Sequence, residues 1–124
     1  MGSPGDDARG KSFVVSPHKA GIYVYRNEAL GFAAPMTVRL DGRLAGRTRA
    51  HTYLFWEVEP GEHSITSHAE DVASVTLTAE PGKAYFVWQE VKLGLWSARS
   101  LLHEVDPAQG RSGVAQCQIG ASML

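Results

Sequence analysis

The chain has 124 residues, of which 44% are hydrophobic and 20% charged, enough for one domain with a true core and too apolar for a disordered chain. Its formal charge is -1, with 12 basic against 13 acidic residues, and no run of Lys or Arg could neutralise a series of phosphates, which excludes nucleic acid as an expected partner. A single cysteine, Cys117, rules out an intrachain disulfide framework, and no apolar run reaches the roughly 18 residues that a membrane-spanning helix needs.

Residues 1–12 hold Pro4, Gly5, Asp6, Asp7 and Gly10 with almost nothing apolar. They are expected to form a flexible tail or tether ahead of one domain over 13–124. Phe13-Val14-Val15 could add a short edge strand that Pro17 ends. Ile22-Tyr23-Val24-Tyr25 is β-branched and aromatic throughout and reads as a strand. Ala29 to Pro35 is expected to connect, with Phe32 plugging one end of the core.

The stretch from Thr37 to Ile65 organises the rest. Asp41-Gly42 suits a type I′ turn, which would set Leu40 opposite Arg43. Strand parity places Leu54, Trp56 and Val58 on one face and Tyr53, Phe55 and Glu57 on the other. After the Pro60-Gly61 turn a strand returns. From Asp71 onward Ala73, Val75, Leu77 and Ala79 alternate inward against Ser74, Thr76 and Thr78. Ala84 to Leu93 is the longest strand candidate, Gly94 breaks it, and Leu95 to Val105 returns. Asp106-Pro107 suits a helix start, but Gly110 and Gly113 each cost a helix about 1 kcal/mol, so at most one short helical turn is expected before a closing strand over Val114 to Ile119. About seven to nine short strands with turns at regular spacing predict an all-β fold, a single antiparallel β-sandwich of immunoglobulin or prealbumin type.

Candidate chemistry is sparse. The five histidines show no metal-ligand spacing, since His63 and His68 lie on opposite faces of one strand. His63, beside a turn, is expected to serve as a hydrogen-bonding residue at a strand end. Ser97, His103 and Asp106 supply the residue types of a triad without the strand-turn-helix elbow that would present the serine. Cys117 sits among alternating apolar residues with no positive neighbour to activate it. No catalytic residue, metal ligand or cofactor is therefore assigned, and no enzyme activity is expected. The one suggestive group is aromatic. With Ile22, Val24, Leu54 and Trp56 inward, Tyr23, Tyr25, Tyr53 and Phe55 project from the opposite face of their sheet. They form a candidate binding patch for a protein, glycan or peptide unless the tail, the 29–35 connection or the C-terminal segment covers them as a second small core.

Ile22-Tyr23-Val24-Tyr25-Arg26, Val38-Arg39-Leu40-Asp41-Gly42 with Ala45-Gly46, Thr52-Tyr53, Val58-Glu59-Pro60-Gly61-Glu62-His63 and Gly82-Lys83-Ala84-Tyr85-Phe86 occur here in an order and spacing that resemble the domain of unknown function 2846 family. The likeness runs from about Ala20 to Cys117. The strand, Asp-Gly, strand, Pro-Gly-x-His core is also similar to PEGA-type β-sandwich modules, although that tetrapeptide is absent. The family resemblance implies an exported, lipid-anchored β-sandwich of the bacterial envelope, in the periplasm or at the outer membrane, with no catalytic residues to carry over. The lipidated cysteine itself is not in this sequence. The resulting expectation is a monomeric, non-enzymatic binding or scaffolding module whose partner is an envelope protein or a cell-wall component. The alternative is a small-ligand, glycan or peptide binder that uses the aromatic face.

Overall fold

The computed structural model describes residues 2–28, 35–69, 71–93 and 98–124. In chain order the elements are α1 (Pro4–Lys11), β1 (Ala20–Arg26), β2 (Met36–Leu40), β3 (Arg43–Thr48), β4 (Thr52–Val58), β5 (Gly61–His68), β6 (Val72–Ala79), β7 (Ala84–Leu93), β8 (Ala98–Val105), α2 (Pro107–Ala115) and β9 (Gln118–Ile119). They build a five-stranded sheet A, in the order β8-β7-β1-β4-β9, and a four-stranded sheet B, in the order β3-β2-β5-β6. The expected 29–35 connection with its Phe32 plug, Pro35 excepted, and the expected break at Gly94 lie outside the described residues.

The hairpin between β2 and β3 turns at Asp41 and Gly42, both with positive φ (51° and 80°), and pairs Leu40 with Arg43. This is the geometry in which the second residue favours glycine. Strand parity then sorts the apolar side chains. Ile22, Val24, Leu54, Trp56 and Val87 of sheet A meet Val38, Leu40, Ile65 and Leu77 of sheet B in the core between the sheets. On β6 the alternation holds: Leu77 and Ala79 are buried while Ser74, Thr76 and Thr78 are exposed.

Four features correct the sequence reading. The fold is mostly β but not all-β, because it carries two helices of eight and nine residues in place of a single turn. It is not wholly antiparallel either, since β1 runs parallel to β7 and β4 parallel to β9. Turn signals describe strands adjacent in sequence and are silent on pairs this far apart. The closing strand shrinks to Gln118–Ile119, and Phe13 adopts a positive φ (57°) in place of a strand conformation.

Both helices have local causes. In α1 the Ser3 hydroxyl accepts a hydrogen bond from the Asp6 amide, Pro4 opens the first turn, Asp6 and Asp7 lie near the positive helix end, and Arg9 and Lys11 near the negative one. In α2 the Asp106 carboxylate caps the Gln109 amide at 2.8 Å and Pro107 follows it. The glycines that argued against α2 are what seats it. A Cβ on Gly110 would stand 2.1 Å from Phe86 Cγ, and one on Gly113 2.2 Å from Tyr25 Cε2. The backbone of α2 therefore lies directly on the rings of sheet A, a packing gain that outweighs the propensity cost.

Gly110→Ala and Gly113→Ala should each add about 1 kcal/mol of helix propensity yet lower stability by a net of about 1–3 kcal/mol, because the ring beneath has no space for the methyl group. Ser112→Ala, on the exposed side of the same helix, should leave stability unchanged or raise it. Urea denaturation midpoints test this, and a raised midpoint for Gly113→Ala would show that α2 is not seated on Tyr25.

Candidate functional site

Sheet A carries aromatic residues on the face turned away from sheet B, and this is where the four sequence-nominated residues lie. Tyr23 and Tyr53 are fully buried, Tyr25 is 2% exposed and Phe55 is half-buried. Phe86, Val114, Cys117 and Ile119 join them in a second core, against which Phe13 and Trp88 also pack. Tyr23 is sandwiched by rings, with centroids 4.4 Å from Phe55 and 4.8 Å from Phe86, both stacked.

The cover is α1 with the strand β9, together with α2. Tyr23 donates its hydroxyl to the Gly10 carbonyl at 2.7 Å, and Tyr53 donates to Asp7 at 3.1 Å. Burial pushes both hydroxyls above the usual tyrosine range. Asp7 also accepts from the Ile119 amide at 3.1 Å, Gly2 donates to the Ile119 carbonyl, and Arg9 pairs with Glu57 at 2.7 Å. The aromatic face is thus covered, as the competing reading of a second small core requires. Phe55 lines an opening: a cleft of about 460 Å³ bounded by Asp6 and Arg9, by Phe55 and Glu57, and by residues 119–122.

A second constellation lies between the sheets, at the end from which β1 leaves and β2 enters. Arg26, fully buried, donates Nε to Glu28 at 2.6 Å and Nη1 to the Thr48 carbonyl at 3.0 Å. The Thr48 hydroxyl donates to Gln89 Oε1 at 2.5 Å. Gln89 Nε2 donates to Ser67 Oγ at 2.6 Å, and Ser67 shares a hydrogen with Ser100 at 2.7 Å. Except for the Arg26–Glu28 pair, each of these bonds runs from sheet A to sheet B. Sequence reasoning passed over them, although a signal was present: Arg26, Ser67 and Gln89 continue the inward parity of Val24, Ile65 and Val87. Polar residues at inward positions mark either a site or an internal key, and the chain of hydrogen bonds from Thr48 through Gln89 and Ser67 to Ser100 makes this a key.

The titratable groups take structural places. His63 Nδ1 lies 2.6 Å from Asp41 Oδ2 and Nε2 lies 2.6 Å from the Glu59 carbonyl, so this residue ties the β2–β3 turn to the β4–β5 turn, the hydrogen-bonding role expected for it. Burial pulls its pKa down, but those two acceptors favour the imidazolium and the net shift is upward. Asp41 is likewise opposed by burial, yet hydrogen bonds from His63 and the Ser64 amide leave its carboxyl below the usual range. His103 rests on Trp88, with ring centroids 5.2 Å apart, and pairs with Glu90 at 3.0 Å. Cys117 is buried, and burial pushes its thiol up to about 12, far from a reactive thiolate. Ser97 lies outside the described residues, and among those described no three His, Cys, Asp or Glu gather where a metal ion could be held.

Residues 16–100 match the family model described as protein of unknown function (DUF2846). An uncharacterized protein of Haemophilus influenzae is 26% identical over 110 residues, covering 86% of this chain and 66% of that protein. The chain therefore spans just under two thirds of that relative's length. No solved structure matches the chain.

The His63–Asp41 pair has a definite pH signature. The raised folded pKa of His63 makes its contribution fully present below its ordinary value of 6.5, and this is lost as pH rises through the folded value. The lowered pKa of Asp41 makes its contribution present above 3.8, lost as pH falls through the folded value. His63→Gln should consequently destabilise most between these two ordinary values and progressively less above pH 6.5. Thermal melts of both proteins across that range test it, and a difference that grows above pH 7 would contradict the pairing.

Proposed function

Since the chain belongs to the family described as protein of unknown function (DUF2846), we propose that it serves as a non-enzymatic binding or scaffolding module of a bacterial envelope, held there by a lipid on a residue upstream of this sequence. The observation that carries the reading is the placement of the N-terminal segment. Gly2 and α1 bond to β9, the edge of sheet A farthest from β8. On sheet B, β3 lies on the β4 side and β6 on the β8 side. A tether entering through α1 would thus hold the β9 side towards a membrane and leave the β6 and β8 side clear for a partner. The occupied ring nitrogens of His63 and the buried thiol of Cys117 favour work by contact over catalysis.

The decisive measurement is the intact mass and mature N-terminus of the protein purified from its own membranes. An acylated cysteine upstream of residue 2 is the expected result; an unmodified start in the soluble fraction overturns the envelope reading.

The cleft beside Phe55 favours a second reading, a glycan or peptide ligand that lies against the accessible part of that ring and bonds to the Arg9–Glu57 pair. A titration with peptidoglycan fragments followed by NMR should give saturable shifts clustered at Phe55, Arg9 and residues 119–122, lost in Phe55→Ala. A silent titration removes this ligand class.

A further inference from the structure

The sheets end in four edge strands, β8, β9, β3 and β6, and three of them carry protection against pairing with another chain. The strand β9 has two residues and is bonded by Gly2. The strand β3 carries Arg43 and Arg47, and the Met123 amide bonds to its Ala45 carbonyl. The strand β8 carries Arg99, His103 and Glu104. Edges are commonly defended by such charges, by shortness or by a covering segment.

The eight residues of β6, Val-Ala-Ser-Val-Thr-Leu-Thr-Ala, contain no charge and no proline. They pair with β5 on one side, in unbroken register from Gly61–Ala79 to His68–Val72, and with no described strand on the other. The solvent-facing row is Val72, Ser74, Thr76 and Thr78, with Val72 61% exposed. Rich in β-branched residues and free of bulges, this edge carries outer backbone groups that bond to none of the described residues, with the Arg99–Asp71 ion pair at its start, and can take an incoming strand.

We infer that β6 is a self-association edge, and that its occupant is β6 of a second copy of this chain. An extended, uncharged strand of the same length pairs along this whole edge without opposing charge, and among the described strands β6 itself has all three properties. Antiparallel pairing about a two-fold axis at Val75 sets Ser74 and Thr76 of the two copies against each other, a hydroxyl-bearing cross-strand arrangement with no like charges opposed within the strands. The result is one sheet B continuous across both copies. The axis lies on the side opposite α1, so the N-terminal segments stay clear of it. The inference replaces the sequence expectation of a monomer and does not depend on where the protein resides.

Sedimentation velocity from about 10 μM to about 1 mM tests it, a range set by the modest affinity of a single strand pair. Wild-type protein should shift from monomer to dimer across that range. The exposed double variants Ser74→Lys/Thr76→Lys and Ser74→Glu/Thr76→Glu should each remain monomeric, and their equimolar mixture should recover the dimer, which also shows that both variants are folded. A wild type that stays monomeric at the highest concentration overturns the inference. So does self-association of either variant at the wild-type level, or a mixture that fails to pair. Open-ended oligomers would rule out the closed two-fold arrangement.

Discussion

Sheet A has two apolar faces, and the rest of the architecture follows from the need to cover the second. An aromatic side chain buries about 150–250 Å², so leaving Tyr23, Tyr53 and Phe86 in water would forgo several kcal/mol per ring on an area basis. Against that, two helix glycines cost about 1 kcal/mol each. The balance explains why a helix forms over a stretch whose composition argues against one. Gly110 and Gly113 let the α2 backbone reach ring atoms that any larger residue would hold away, and Gly10 does the same for α1 against Tyr53.

Between the sheets a different constraint operates. An apolar sandwich core is permissive, because two greasy faces can slide past each other by a residue with little loss of contact. The bonds of Arg26, Thr48, Gln89, Ser67 and Ser100 remove that freedom, since a shift of register would strand buried donors and acceptors at about 1–3 kcal/mol each. The opposite end of the sandwich is held by His63, which joins two turns from a single ring. One end is thereby keyed by neutral and permanently charged groups, and the other by a pair that titrates.

Much of the β framework was legible because its signals are local. The Asp41-Gly42 turn, the parity of Leu54 and Trp56 against Tyr53 and Phe55, and the alternation along β6 each depend on residues a few positions apart. The helices were misjudged where composition was weighed above position: Ser3, Pro4, Asp6 and Asp7 stand in the order that starts a helix, as do Asp106 and Pro107. What lay out of reach depends on distant partners. No pattern within α2 announces that its glycines meet Phe86 and Tyr25, and none within β1 announces a parallel neighbour in β7. The aromatic face was visible as a face, and the tail and the C-terminal segment were among its candidate covers, but not the helices that they form. The polar key could have been noticed at inward-parity Arg26 and Gln89, but its closure needed the coordinates of both sheets.

The bonds from Asp7 and Gly2 to Ile119 join residues at opposite ends of the sequence. On a ribosome α1 emerges well before β9. The seam that closes α1 over Tyr53 is therefore incomplete until β9 has emerged. Throughout that interval the nascent chain carries a growing sheet with an unsealed aromatic surface, the kind of species that aggregates or recruits chaperones. The aromatic surface is most vulnerable in the interval before β9 completes that seam.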